Sequence, residues 1–240
     1  HVHCVIVGFS VAENNAPKLL FTSDRVQTVA NINAYLIDAP TVFIDSRNKP
    51  ICNVPAMTTG NRPADGGHLI IEAEDYEDFI AAEPEAEKYI KKLVGSTEFI
   101  NNKKRYCLWL VGVSPAELRK MPEVMKRVNA CKEDRECSPD AGRRKLAERP
   151  MLFRETKNPA TFIVVPAVSS ERRRYVPMGF LDGNTIATNL ATMIPNASIY
   201  DFGVLTSNVH MAWMRAVCGR LKSDYRYSKD VVYNNFPWPK

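Results

Sequence analysis

Apolar and β-branched residues alternate from His3 to Phe9 and predict a strand at the start of the chain. Lys18 to Thr22 and Ala34 to Asp45 predict further short strands, punctuated by Pro40 and Pro50. After residue 75 the period changes. Tyr76, Phe79 and Ile80, then Ala86, Tyr89, Ile90 and Leu93, recur at helical spacing, so 75–94 predicts a helix interrupted at Pro84 and stopped at Gly95. Arg105 to Val113 (RYCLWLVGV) predicts a strand, and Ser114-Pro115 supplies an N-cap with proline at the first helical position. Met121 to about Lys132 predicts a helix. Ser138-Pro139-Asp140 caps another to about Glu148, which Pro150 ends. Strands are then expected at 160–168, 175–181 and 185–194, followed by a helix over about 198–218. In that helix Met211, Trp213 and Met214 share a period with Phe202, Leu205, Val209 and Val217, which assigns them to the core rather than to a stacking platform. There is no internal repeat and no low-complexity linker. The pattern predicts an α+β fold, a mixed sheet with flanking helices.

A length of 240 residues, with 45% hydrophobic and 25% charged residues and a mean hydropathy of -0.26, suits one soluble globular domain, or a domain with a subdomain. No apolar run approaches the roughly 20 residues of a membrane span, so no membrane partner is expected. The opening HVHCVIVGFS lacks the basic n-region of a signal peptide and reads as the start of an excised internal piece. Six scattered cysteines (Cys4, Cys52, Cys107, Cys131, Cys137, Cys218) form no Cys-x-x-Cys pair. They suggest neither a zinc site nor a disulfide framework, and fit a reducing, cytoplasmic setting.

The net charge of +5 hides a division. Residues 1–100 carry 8 Lys and Arg against 14 Asp and Glu, whereas residues 101–240 carry 24 against 13. The basic side is concentrated at Lys103-Lys104-Arg105, Arg143-Arg144-Lys145, Arg172-Arg173-Arg174 and between Arg215 and Arg226. Such clusters beside Asn and Ser are what a polyanion surface requires, because neutralised phosphates release counterions. Solvated helix faces are the alternative for any single run.

Catalytic tools are sparse. The sequence has no GxGxxG or GxxxxGK[ST] loop, and Gly66-Gly67 in ADGGHL is too short to read as a phosphate cradle. His1, His3, His68 and His210 lack metal spacing and are expected to be structural. Glu155-x-Lys157, with Glu148 upstream, echoes the end of a metal-dependent nuclease core, a short pattern that charged chains produce by chance.

Longer blocks carry a resemblance. GNRPADGGHLII (60–71), AEKYIKKLVGSTEFINNKKRYCLWL (86–110), VVPAVSSERRRYVPMGFL (164–181) and YDFGVLTSNVHMAWMRAVCGRLKSDYRYSKDVVYNNFPWP (200–239) occur in order along nearly the whole chain. They resemble the target-recognition region of the MmeI-like family of S-adenosylmethionine-dependent, adenine-specific DNA methyltransferases of type IIG/IIL restriction–modification. The resemblance implies a longer polypeptide, in some cases with a nuclease domain, in which a methyltransferase domain flips and methylates adenine N6 and this region binds double-stranded DNA. It also implies boundaries: 1–50 as the end of the methyltransferase domain with connecting strands, 51–230 as the target-recognition domain, and 231–240 as the return segment. The methyl-donor glycine motif and the NPPY-type motif are absent, so no cofactor is expected in this chain, S-adenosylmethionine belonging to the parent enzyme, and no catalytic or metal residue is assigned.

GRLKSDYRYS (219–228) holds the expected base readers. An ammonium at Lys222 suits guanine O6 and N7, and a carboxylate at Asp224 suits the cytosine N4 amine, so the two match one G·C pair. The resemblance implies that charged residues at these two positions track the base read at one edge of the site. Arg226 is expected to reach a neighbouring base pair with a residue from Thr188 to Ala191. A surface ion pair between Lys222 and Asp224 is the competing reading. Ser169, Ser170, Arg172, Arg173 and Arg174 are expected to bind phosphates, with Glu171 orienting one arginine, and Lys103 and Lys104 form a second phosphate candidate. The rivals to a DNA reader are a protein-docking module of the same enzyme, a Mg-dependent nuclease using Glu155 and Lys157, and an RNA-binding module, for which no RNP-type or GXXG signature is present.

Overall fold

Turn and cap chemistry divide the chain into short elements, so that the fold is assembled from four small sheets rather than one large one. The computed structural model describes residues 5–12, 15–34 and 36–239. In chain order the elements are strands β1 (Lys18–Phe21), β2 (Val26–Val29), β3 (Thr58–Thr59) and β4 (Ile70–Glu72), then helix α1 (Tyr76–Ala82) with a 3-10 turn at Pro84–Tyr89. Strand β5 (Ile90–Val94), helix α2 (Ser96–Asn101) and strand β6 (Arg105–Leu108) follow, then helices α3 (Pro115–Leu118), α4 (Pro122–Glu136) and α5 (Ala141–Lys145). The last part holds β7 (Thr161–Pro166), β8 (Val168–Ser169), β9 (Gly179–Asp182), β10 (Thr185–Ala187) and β11 (Ala191–Pro195). Helices α6 (Ile199–Leu205) and α7 (Asn208–Val217) and the hairpin β12 (Gly219–Leu221) and β13 (Asp224–Arg226) complete it. Among the described residues the sheets run β1-β2, β10-β5-β6-β4, β3-β11-β7-β9 and β12-β13-β8, with β10 and β5 paired in parallel. The α+β, mixed-sheet expectation holds.

Strand β7 shows how period two builds the centre. Ile163 and Val165 face a cluster with Ile194, Leu205, Met211 and Met214, while Phe162 and Val164 face the opposite side with Ala187 and Met193. Both faces are buried, each large side chain contributing about 1.5–3 kcal/mol. A separate cluster joins Leu69, Ile71, Leu93 and Leu108 to Val124 and Val128 of α4. Its polar centre is Arg135, wholly buried, whose guanidinium donates five hydrogen bonds to the carbonyls of Pro63, Ala64, Leu146, Arg149 and Leu152. The ADGGHL motif is part of this scaffold. The Asp65 carboxylate accepts from the Gly67 and Leu69 N–H groups, and Gly66 (φ 69°) and Gly67 (φ 92°) occupy left-handed backbone that favours glycine.

Several elements depart from the sequence pattern. Residues 90–94 form a strand instead of continuing the helix: Glu83 ends α1 before Pro84, and both edges of β5 are taken, by β6 and β10. The 185–194 segment splits into two strands of different sheets at Thr188, whose N–H donates to the Val94 carbonyl. The 198–218 helix breaks at Ser207, whose hydroxyl caps α7 by accepting from His210 N–H, and Val209 is 71% exposed rather than part of the core stripe. Met211 and Met214 are core, as expected. Of the expected 175–181 strand only 179–181 is regular, as the start of β9. Of the opening strand, His3 and Cys4 lie outside the described residues, and Val5–Phe9 is irregular with exposed side chains. The 34–45 segment is also irregular around Tyr35, itself outside the described residues.

The segments expected to run towards and back from a neighbouring domain lie side by side. Arg47 and Ile51 N–H donate to the Asp230 and Asn234 carbonyls, and the Asn234 and Asn235 amides donate to the Arg47 and Asp45 carbonyls. Trp238 is core, edge-on to Tyr233 and Phe236. Among the described residues no helix is long and apolar enough to cross a membrane, and Cys52, Cys107, Cys131, Cys137 and Cys218 are free thiols.

Candidate nucleic-acid interface

The three-stranded sheet β12-β13-β8 unites the two basic segments that the sequence keeps some fifty residues apart. Tyr225 pairs with Ser169 and Arg226 with Val168, and the Asp224 carboxylate accepts the Glu171 N–H at 3.3 Å. The arginine turn 171–174 therefore emerges from the sheet that carries Asp224 and Arg226. Opposite residues in an antiparallel pair share a face. Tyr225 points into the core, so Ser169 does too; its hydroxyl is sealed from solvent and has no partner. Ser170, by contrast, is half-buried, its hydroxyl accepting Arg172 N–H and its carbonyl accepting Arg173 N–H.

Arg172, Arg173 and Arg174 are exposed, as are Lys222 and Arg226. Among the described residues none of these five takes part in an ion pair, and no ion pair joins Lys222 to Asp224. Glu171 pairs with no arginine either. The turn is organised by other means: Arg215 donates to the Arg174 carbonyl, the Arg174 guanidinium lies 5.3 Å over the Tyr175 ring, and Tyr175 hydroxyl donates to Asn208 at 2.9 Å. Lys222 sits in the two-residue hairpin turn at φ 58°, not on a strand face, so its ammonium projects from the tip while Asp224 and Arg226 project from the sheet.

The loop 188–190 lies next to the Arg226 end of this sheet. Ala167 N–H donates to the Leu190 carbonyl, and the Ala167 carbonyl accepts from Tyr227 N–H. Lys103 and Lys104 are exposed in the connection between α2 and β6, and among the described residues no hydrogen bond or ion pair connects them to the hairpin; Arg105 beside them is held by Glu72 and Glu98.

Helix α7 is the support that sequence reasoning missed. Its first turn reaches the arginine turn through Asn208 and the hairpin through His210, whose Nε2 is 2.9 Å from the Tyr227 hydroxyl. Both rings are buried. Desolvation pushes the His210 pKa down to about 4, so it is a neutral, structural histidine, and raises that of Tyr227. The signal was present as Tyr225-Arg226-Tyr227, an aromatic, charged, aromatic alternation that sets tyrosines inward and Arg226 outward.

Glu155 and Lys157 are engaged elsewhere. Glu155 accepts Arg62 N–H at 2.8 Å, fixing the segment after β3, and Lys157 donates to Thr58 hydroxyl and Thr59 carbonyl at 2.8 Å each, holding β3 itself. Among the described residues no group of three or more His, Cys, Asp or Glu is placed to hold a metal ion.

The chain is similar to known proteins. Residues 38–240 match the family model described as the MmeI target recognition domain. The chain is 44% identical over 237 residues to DNA methyltransferase A of Bacillus subtilis (strain 168), covering 98% of this chain and 27% of that protein. It is also similar to the solved type IIL restriction-modification enzyme MmeI in complex with DNA, with a TM-score of 0.86 and 42% identity over 90% of this chain and 29% of that one. The chain thus spans between a quarter and a third of the length of these relatives. By the match over residues 38–240 it belongs to the MmeI target recognition domain family.

Proposed function

We propose that this chain is the sequence-specific duplex DNA reader of an adenine-N6 DNA methyltransferase, acting in cis with a methyltransferase domain of the same polypeptide. One observation carries the reading: Arg172–Arg174, Lys222 and Arg226 sit on or beside a single three-stranded sheet, exposed and, among the described residues, in no ion pair. Guanidiniums whose donors are not taken up by carboxylates are available to phosphate oxygens, and the hairpin tip beside them offers a donor and an acceptor to base edges. The MmeI structure, solved with DNA, and the Bacillus methyltransferase supply the context.

In this reading Lys222 donates to guanine, Asp224 accepts from the paired cytosine amine, and Arg226 reaches the neighbouring pair beside the 188–190 loop. Arg172–Arg174 and Ser170 position the duplex. Ser169 acts only as a buried strand residue, and Lys103 and Lys104 bind phosphate on another surface. S-adenosylmethionine does not fit here: the glycine-rich and NPPY-type motifs are absent from the sequence, and no residue of this chain is assigned to it. Residues 1–50 and 231–240 connect to the methyltransferase domain, in keeping with the hydrogen bonds between 45–51 and 230–235.

The test exchanges Lys222→Glu with Asp224→Arg in the full-length enzyme and maps methylated sites by sequencing. One position of the site should change from G to C. An unchanged site overturns the assignment of these two residues. Binding to random duplexes that shows no salt dependence overturns DNA reading itself and favours a protein-docking module.

A further inference from the structure

The register of the hairpin sorts its side chains by face. Leu221 is opposite Asp224 and Gly219 is opposite Arg226, while Arg220 is opposite Tyr225. Tyr225 is buried, so Leu221, Asp224 and Arg226 share the outward face. A Cβ added at Gly219 would meet the Arg226 Cβ at 4.0 Å, which places these two side by side on that face. Leu221 is 53% exposed and belongs to none of the buried clusters or their flanking residues. It is a large aliphatic group left in water, flanked in sequence by Arg220 and Lys222, on a face otherwise occupied by charge. Among the described residues it joins no hydrophobic cluster.

The major-groove edge of duplex DNA presents one apolar feature, the C5 methyl of thymine, set beside the hydrogen-bonding atoms that charged side chains read. We infer that Leu221 is a specificity-determining residue that packs on the C5 methyl of a pyrimidine, in a base pair adjoining the one contacted by Lys222 and Asp224. The inference rests on the reading of the hairpin as a DNA reader. Asp224 and Arg226 fix the hairpin laterally by polar contacts, and Leu221, lying across from Asp224, buries its methyl groups only when a methylated pyrimidine edge is present. The ligand chemistry is specific: thymine or 5-methylcytosine is preferred over uracil or unmodified cytosine by the burial of one methyl group.

The experiment measures binding of the full-length methyltransferase to its mapped site, with each pyrimidine altered only at C5: thymine to uracil, and cytosine to 5-methylcytosine. One position should respond to the methyl group by about fourfold in affinity, the burial of one methyl. Leu221→Ala, an exposed truncation, should keep the melting temperature and erase that response. Leu221→Val should retain part of it. The idea is overturned if no pyrimidine is methyl-dependent, or if the dependence persists in Leu221→Ala. Arg226→Ala separates the two levels. If it weakens binding while the C5 scan is flat, only the Leu221 assignment fails; if neither it nor Lys222→Ala alters binding, the DNA reading of the hairpin fails with it.

Discussion

Two groups of arginine in this molecule have opposite fates. Arg135 is buried, and each of its five N–H donors meets a main-chain carbonyl, so it ties the 63–64 loop to the 146–152 segment. Arg172, Arg173 and Arg174 are exposed and, among the described residues, form no ion pair with a carboxylate. The difference teaches that a count of positive charge says little about a polyanion surface until the donors already engaged by the protein are set aside. In the first region an arginine replaces tertiary structure that loops cannot make for themselves. In the second the scaffold stiffens the backbone around the arginines, through Tyr175 and Asn208, and leaves their head groups available.

Removing Arg135 should therefore have the largest effect. Arg135→Met strands five part-buried carbonyls and is expected to cost about 3 kcal/mol, seen as a large drop in urea midpoint, with the base preference of the remaining folded protein unchanged. A change in base preference would erase the distinction between the two regions. Next comes His210, whose folded pKa of about 4 lies below its ordinary 6.5. The unfolded chain takes up a proton as pH falls below 6.5 while the fold resists, so its contribution is complete above 6.5 and is lost on acidification towards 4. The full loss is about 3 kcal/mol. Denaturation at pH 7, 5.5 and 4.5 should show this slope in the wild type and a shallower one in His210→Gln.

Replacing Arg172, Arg173 and Arg174 together by alanine should leave the stability within about 0.5 kcal/mol of wild type. It should lower the slope of log affinity against log salt by roughly 0.9 for every phosphate that the variant no longer neutralises. A destabilised triple variant with an unchanged slope would place these residues with Arg135. The smallest effect is expected at the hairpin tip. Lys222→Gly relieves the left-handed backbone and should stabilise the fold by about 0.5 kcal/mol, yet abolish discrimination at one base pair, a gain in melting temperature coupled to a loss of reading.

Local rules carried much of the fold. The caps at Ser114, Asp140 and Ser198, the first followed by Pro115, set the starts of α3, α5 and α6, and strand β7 followed from its alternation. What failed were segments whose partners are distant. Ile90–Val94 satisfies a helical period as well as a strand, and only the pairing with β6 and β10 decides between them. The segment 219–228 was legible as a dense run of charge, but the register placing Lys222 in a turn and Leu221 outward was not, because it depends on β8 arriving from residue 168. Ser169 shows the same limit: beside Ser170 in sequence, it points to the opposite side of the sheet.

The hydrogen bonds that zip 45–51 to 230–235 make the body between them a closed cassette. Two junctions a few ångströms apart suffice to lift it out and to set another in its place without stretching the chain on either side. Exchange of the whole cassette between relatives should thus preserve the seam if its asparagine contacts, Asn234 and Asn235, travel together with the backbone of 45–51. New binding specificities would then be acquired by transplantation as readily as by point substitution, with the seam, rather than the reading sheet, setting which donors are compatible.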